Sequence, residues 1–248
     1  MRLAVTGGIS GIGKATVMHL LAQGHEVTVF DIKEPDYDVD YIPLNLMDEG
    51  SISVALEQAT GMYDGLCHIA GVPPRDDNTF MCLNINAIAA FSFIRGFLPK
   101  LKKGAAVVSV ASKAGAGWEM NTAQLDSLID CAKDELESWA QTHEVGATLA
   151  YKLSKQAMIY WSVKQVSQHI GQTRFVTVSP AAVDTGILTD FKNAFGPQVE
   201  VNLARVGRPG KAEEVASTMA FLISEDASWI NGVDIVIDGG MGALNFNQ

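Results

Sequence analysis

Cysteine is scarce in this chain: Cys67, Cys82 and Cys131 are three in 248 residues, with no C-x-x-C spacing among them. That excludes a disulfide scaffold, and the three read as buried thiols in a reducing compartment. Positive charge is short as well. Against 28 Asp and Glu there are 18 Lys and Arg, a formal net charge of −10, which argues against nucleic acid or an anionic membrane as partner. No apolar run approaches the ~18 residues of a membrane span. The opening M-R-L-A-V-T-G enters a strand at once, leaving no room for a signal peptide. A soluble, cytoplasmic protein is expected. Histidines at ligand spacing are also missing, so no metal is expected. Low-complexity linkers, charge blocks and repeats are absent, and nothing marks a second domain.

What is present suits a large core: 48% of residues are hydrophobic and 19% charged. Short β-branched runs recur at Leu3–Thr6, Glu26–Phe30, Tyr41–Leu44, Gly65–Ala70, Ala105–Ala111, Arg174–Ser179 and Val233–Ile237. Several are apolar on both faces, as parallel strands covered above and below by helices must be. Between them, helical spacing runs over Ile12–Gln23, Ile52–Ala59, Thr79–Leu101, Leu125–Trp139, Ala150–Ile170 and Ala212–Ile223. The alternation predicts a single α/β domain over residues 1–248, a doubly wound parallel sheet of about seven strands flanked by helices.

The first strand runs into T-G-G-I-S-G-I-G, residues 6 to 13, and a helix follows. Glycines there permit a tight turn and close approach of main-chain N–H groups to a diphosphate, and the helix N-terminus adds partial positive charge. The setting, after a strand and at the start of a helix, points to dinucleotide binding. The second strand ends in Asp31, near the spacing at which a carboxylate takes the adenosine ribose hydroxyls. A carboxylate would repel a 2′-phosphate, and Ser10 stands where a basic residue would favour one. The expected cofactor is NAD rather than NADP. Lys14 and Lys33 read as surface cations.

Further on, L-A-Y-K-L-S-K-Q-A-M spans residues 149 to 158. A tyrosine hydroxyl, with a reference pKa of about 10, is a poor base near neutrality. A nearby ammonium would lower that value. On a helix, residues i and i+4 share a face while i and i+1 diverge by about 100°. Lys155 can therefore approach Tyr151, and Lys152 points elsewhere.

T-G-x-x-x-G-x-G followed far downstream by Y-x-x-x-K resembles the short-chain dehydrogenase/reductase family, and the likeness covers nearly the whole chain. Thr6, Gly7, Gly11, Ile12 and Gly13 match its cofactor turn; Asn86 in N-A-I-A-A-F and Ser112 in V-V-S-V-A-S-K-A-G match its catalytic asparagine and serine. S-P-A-A-V-D-T, G-R-P-G-K-A-E-E-V-A, F-L-I-S and I-V-I-D-G-G resemble its C-terminal landmarks. The resemblance implies a Rossmann-type fold and a tetrad of Asn86, Ser112, Tyr151 and Lys155. Tyr151 would exchange a proton with the substrate oxygen, Ser112 would hydrogen-bond that oxygen, and Lys155 would also hold the nicotinamide ribose. Asn86 would hold a water in a proton relay. Gly7, Ser10, Gly11, Ile12, Gly13, Asp31, Ala70 and Gly71 would line the cofactor, with Val183 and Thr185 at its carboxamide. The implied reaction is hydride transfer between NAD and an alcohol or ketone. A cofactor-binding sensor or scaffold without turnover, and an isomerase or dehydratase on the same scaffold, are the alternatives.

Four departures stand out. The family's N-N-A-G is His68-Ile69-Ala70-Gly71 here, which gives His68 a structural part in holding the central strands. Asn45 stands at an adenine-side position where aspartate is common, with Asp48 displaced, and P-G of the sixth strand is Pro180-Ala181. The last departure is the longest. Tyr151 follows Ser112 by 39 residues, about three times the family's usual interval, and the extra segment falls at about 117–146. Leu125, Leu128, Ile129, Ala132, Leu136 and Trp139 give it one apolar stripe. Such an insert resembles the bacterial 3α-hydroxysteroid dehydrogenase/carbonyl reductase subgroup. The stripe could pack on the protein's own body, alter a subunit interface, or wall the substrate. The expected assembly is a homodimer, a tetramer being the alternative. The stretch from Thr185 to Arg205, with Ile187, Leu188, Phe191, Phe195 and Pro197, is expected to be a mobile substrate loop suited to a hydrophobic, cyclic alcohol or ketone.

Overall fold

The computed structural model describes residues 1–245. The chain begins with β1 (Arg2–Thr6), α1 (Gly11–Ala22), β2 (Glu26–Asp31), β3 (Asp40–Pro43), α2 (Glu49–Gln58) and β4 (Tyr63–His68). A long helical run follows, made of α3 (Thr79–Leu83), a π-helical turn (Asn84–Ile88) and α4 (Ala89–Phe97), and leads to β5 (Leu101–Val110). Two short helices, α5 (Thr122–Ile129) and α6 (Leu136–Thr142), precede the long α7 (Ala147–His169) and β6 (Arg174–Pro180). The remainder is β7 (Val183–Asp184), α8 (Leu188–Phe195), α9 (Gln198–Val206), β8 (Gly210–Lys211), α10 (Ala212–Ile223) and β9 (Val233–Ile237).

Seven strands form one parallel sheet in the order β3-β2-β1-β4-β5-β6-β9, and β7 and β8 pair separately. Strand order reverses between β1 and β4, which opens the crevice at their carboxyl ends where such sheets bind ligands. The strand alternation sends Leu3, Val5, Cys67, Val108 and Val178 to one face, against α1 and α10. It sends Ala4, Leu66, Val107 and Phe175 to the other, against α4 and α7. Aromatic rings fill that second layer: Phe91 stacks on Trp161 at 4.6 Å between centroids, and Phe30 meets Phe93 and Phe97 edge-on. Full burial of side chains of this size contributes roughly 1.5–3 kcal/mol each.

Three expectations change. The spacing over 79–101 gives one helical run, but a π-helical turn at Asn84–Ile88 interrupts its α-helical winding, and Leu101 belongs to β5. This run, Thr79–Lys100, is long and apolar enough by composition to cross a bilayer, although asparagines and Arg95 break its apolar sequence. With 61% of its most apolar window buried, it is a core helix. Second, 125–139 is not a single helix. Ala132 takes extended backbone (ψ 149°) and lies exposed, so the stripe is carried by α5 and α6 separately. Leu125, Leu128, Leu136 and Trp139 are nevertheless buried in the main core. Third, 185–205 is built from α8 and α9 rather than being an open loop.

Candidate active site

The glycine turn is shaped by what a side chain would strike. A Cβ on Gly7, whose φ is +72°, would come within 2.7 Å of the Ala70 backbone, and one on Gly13 would collide with the Gly7 carbonyl. Thr6 Oγ1 accepts from the Ile69 and Ala70 N–H groups at 3.1 and 3.2 Å, fastening the end of β4 beside the turn. Ser10 is the N-cap of α1 with its side chain exposed, and Ile12 half-buries its side chain towards the α1 face of the core. Gly11, at φ +49°, would meet the Thr185 side chain at 3.4 Å if it carried a Cβ. Thr185 and the glycine turn therefore line one place, although 174 residues part them in sequence. Val183 itself is buried, held in β7 by its pairing with Gly210.

Asp31, half-buried at the end of β2, accepts from the Ile9 N–H at 3.2 Å and the Ile32 N–H at 2.7 Å. The loop after it folds over the turn, where Tyr37 donates to the Gly8 carbonyl at 2.7 Å and Lys14 pairs with Asp36 at 2.6 Å. The displaced Asp48 caps α2 by accepting from the Gly50 N–H, and Asn45 accepts from the Met47 N–H.

Tyr151 and Lys155 lie one turn apart on α7 and both are buried, whereas Lys152 is exposed. The Lys155 ammonium donates to the Val110 carbonyl at 3.0 Å and sits 5.8 Å from the Tyr151 ring centroid. Burial lowers Lys155 to about 8, with the nearby Cys82 thiol acting weakly the other way. Burial likewise pushes the Tyr151 phenol above its usual range, and a hydrogen bond with Ser112 opposes that rise. In the protein alone the shift therefore runs opposite to the expected direction, with desolvation of the ring as its largest cause. Ser112 lies two residues beyond β5, half-buried, and its Oγ accepts from the Ala114 N–H at 3.2 Å.

Asn86 lies within the π-helical turn and clamps Val72, accepting from its N–H at 2.8 Å and donating to its carbonyl at 3.0 Å. Its side chain thereby braces the 71–72 segment. Gly71 fits between Asn86 and Lys155: a Cβ there would lie 2.9 Å from Asn86 Oδ1 and 3.5 Å from Lys155 Nζ. Two neighbours escaped the sequence reading. Ser154 donates to the Tyr151 carbonyl at 2.8 Å and accepts from Asn86 at 3.4 Å. Cys82, buried under α7, has its thiol pushed up to about 11 by desolvation and is neutral at pH 7. Three-residue spacing from Tyr151 was the signal for Ser154; for Cys82, only its place in a core helix.

Above the tyrosine, Phe191 and Phe195 of α8 present their rings edge-on at 5.2 and 6.3 Å. Asp190 takes two hydrogen bonds from the Arg75 guanidinium, each 3.0 Å, tying α8 to the stretch after β4. Lys113, next to Ser112, pairs with Asp238 at 2.6 Å. The segment at 117–146 packs against α7: Asn121 donates to Gln156 at 3.0 Å, and Asp126 takes hydrogen bonds from Tyr160 and Lys164.

Comparison with known proteins agrees with this layout. Residues 2–124 match the family described as short chain dehydrogenase, and residues 135–242 match that described as enoyl-(acyl carrier protein) reductase. Coniferyl-alcohol dehydrogenase of a Pseudomonas species is 31% identical over 98% of this chain and 96% of its own. The 3-alpha-hydroxysteroid dehydrogenase/carbonyl reductase of Comamonas testosteroni is 30% identical over the same shares. The crystal structure of 3-alpha-hydroxysteroid dehydrogenase from Pseudomonas sp. B-0831, complexed with NADH, superposes with a TM-score of 0.86 at 27% identity, covering 100% of this chain and 99% of that one. The fold is that of an oxidoreductase family acting on alcohols and carbonyl compounds. The chain belongs to the short-chain dehydrogenase/reductase family.

Proposed function

We propose that this chain is an NAD-dependent dehydrogenase/reductase of hydrophobic, ring-bearing alcohols and ketones. The observation that carries the reading is the convergence of Ser112, Tyr151 and Lys155 at the carboxyl end of β5, beside a turn that cannot hold a side chain at Gly7 or Gly13. That cradle fits a dinucleotide: its main-chain N–H groups and the α1 N-terminus suit a diphosphate. Asp31 would hold the adenosine ribose, Lys155 the nicotinamide ribose, and Thr185 the carboxamide side. NAD would supply the hydride acceptor when an alcohol is oxidised and the donor when a ketone is reduced.

The rest is done by the chain's own groups. Ser112 fixes the substrate oxygen, and Tyr151 takes or returns its proton. Lys155, held by the Val110 carbonyl, stabilises the phenolate formed when Tyr151 has given up its proton. Preference for NAD is supported by the Asp31 carboxylate and by Lys14, whose charge is spent on Asp36 and not offered to a 2′-phosphate. The aromatic cover of Phe191 and Phe195 supports a cyclic or aromatic substrate. The three cysteines are free thiols, which fits a reducing, cytoplasmic setting. The 117–146 segment is read as an insertion on α7 that hinders pairing between the long helices of two subunits and leaves a homodimer.

The test is a panel of secondary alcohols, cyclic ketones and steroids assayed with NAD(H) and NADP(H), following the absorbance of the reduced nicotinamide. Turnover with NAD and a ring-bearing member is expected. A preference for NADP would overturn the role given to Asp31, and products without net redox change would overturn the reaction class.

A further inference from the structure

His68 belongs to a polar row that crosses the sheet. Strand pairing aligns Thr6 with His68, His68 with Ser109, Ser109 with Thr177 and Thr177 with Asp234. Leu66 and Val107, two residues earlier on their strands, face the α4 and α7 layer, so His68 and Ser109 face it too. Lys155 reaches into the same place, its ammonium lying between the end of β5 at Val110 and the residue Gly71 beyond β4.

The hydrogen bonds fix the histidine's tautomer. Thr6 Oγ1 already accepts from the Ile69 and Ala70 N–H groups, so its own hydrogen must go to His68 Nδ1, 3.0 Å away. Nδ1 is then an acceptor, and the ring proton sits on Nε2. Burial holds the ring neutral, its pKa lowered to about 3, with the Lys155 charge adding to the effect. The Nε2–H donor and Ser109 Oγ are both buried, and neither has a hydrogen-bond partner among the described residues. Leaving two such groups unsatisfied would cost about 1–3 kcal/mol each. They stand on register-paired residues, yet no hydrogen bond joins them directly.

We propose that His68 and Ser109 are a positioning pair for Lys155, holding one internal water between Nε2–H and Oγ within reach of the lysine ammonium. Water suits the place because it accepts from the imidazole while keeping both a lone pair and a hydrogen for its other neighbours. It can accept from Lys155 when the amine is charged and donate to it when the amine is neutral. The family's asparagine at this position would fill the space with an amide. The other titratable groups around Lys155 are Tyr151 on α7 and Cys82 on α3; Asp234 lies at the far end of the row. The inference rests on the part given to Lys155 beside Tyr151 in the proposed function, but its first test does not.

In 15N-histidine-labelled protein, two-bond correlations should show a neutral Nε2–H ring that does not titrate between pH 5.5 and 9, assigned by its loss in His68→Asn. A neutral Nδ1–H ring, or titration in that window, would overturn the proposal whatever the enzyme's activity. The second test is the pH profile of kcat in Ser109→Ala. With Ser109 gone the water is held by His68 alone and grips the ammonium less well, so the limb that reports Lys155 should move down by about half a unit or more, the ring tautomer being unchanged. A profile superimposable on the parent's would leave the pair merely structural and sink the idea.

Discussion

Asp31 Oδ2 accepts from the Ile9 main-chain N–H at 3.2 Å, so the carboxylate that closes β2 is fastened to the turn that follows β1. One side chain thus shapes the turn and, in the proposed function, would also hold the adenosine ribose. Asp31→Ala should raise KM for NAD roughly ten- to a hundredfold, the scale of a lost hydrogen bond to a charged group. The ratio of kcat/KM for NAD and NADP should move towards NADP. Steady-state kinetics with both cofactors would settle it; an unchanged ratio would contradict the assignment.

Tyr151→Phe removes the hydroxyl and keeps the ring that Phe191 and Phe195 pack upon. The expected loss in kcat is about 10²–10⁴-fold, the usual contribution of a positioned acid–base group. NAD affinity by fluorescence titration should change little. Retained turnover would refute the proton-transfer role.

Lys155 is a buried cation, lowered from its ordinary 10.5 to about 8 by desolvation. At about 1.4 kcal/mol per unit, carrying its charge at pH 7 costs the fold on the order of 3 kcal/mol. Between pH 8 and 10.5 the unfolded chain binds this proton and the folded one does not, so stability rises with pH through that window. Lys155→Met should accordingly be inactive but melt at a higher temperature at pH 7, and its advantage should shrink as pH rises from 8 to 10. Above pH 10 the raised Tyr151 works in the opposite direction. Calorimetry across pH checks both signs; a variant less stable at pH 7 would contradict the account.

The Arg75–Asp190 pair is two-pronged but half in solvent, with side-chain exposures of 55% and 25%. It should contribute no more than about 1 kcal/mol. Arg75→Ala is expected to raise KM for the organic substrate up to about fivefold while leaving KM for NAD alone, and added salt should mimic it in the parent. A large fall in kcat would mean the pair does more than hold α8.

Asp126 accepts from both Tyr160 and Lys164, and Asn121 bonds to Gln156, so the outer face of α7 is already clothed by its own chain. Light scattering should give the mass of a dimer. A stable tetramer built through α7 would count against this.

Much of the fold was legible because parallel strands buried on both faces must be apolar throughout, and all seven were found within a few residues. The site was legible where chemistry demands fixed spacing: Tyr151 with Lys155, or Gly7, Gly11 and Gly13. It was hidden where contacts are long-range. Nothing local to Asp190 announces Arg75, and Thr185 gives no sign of lying beside Gly11. The π-helical turn around Asn86 and the break at Ala132 were missed because apolar spacing tolerates both. The direction of the Tyr151 shift was missed for another reason: a sequence shows which charges are near, not how much water is excluded.

The 38 residues between Ser112 and Tyr151 also bear on how the site comes together during folding. Closing a connection about three times the usual length adds roughly 1 kcal/mol of chain entropy, since the cost grows only with the logarithm of length. Burying Leu125, Leu128 and Leu136 recovers several times that. The long detour therefore anchors the serine and the tyrosine as firmly as a short loop would, and it does so only once α5 and α6 have docked. Loosening that docking should scatter the reacting groups before the sheet itself gives way.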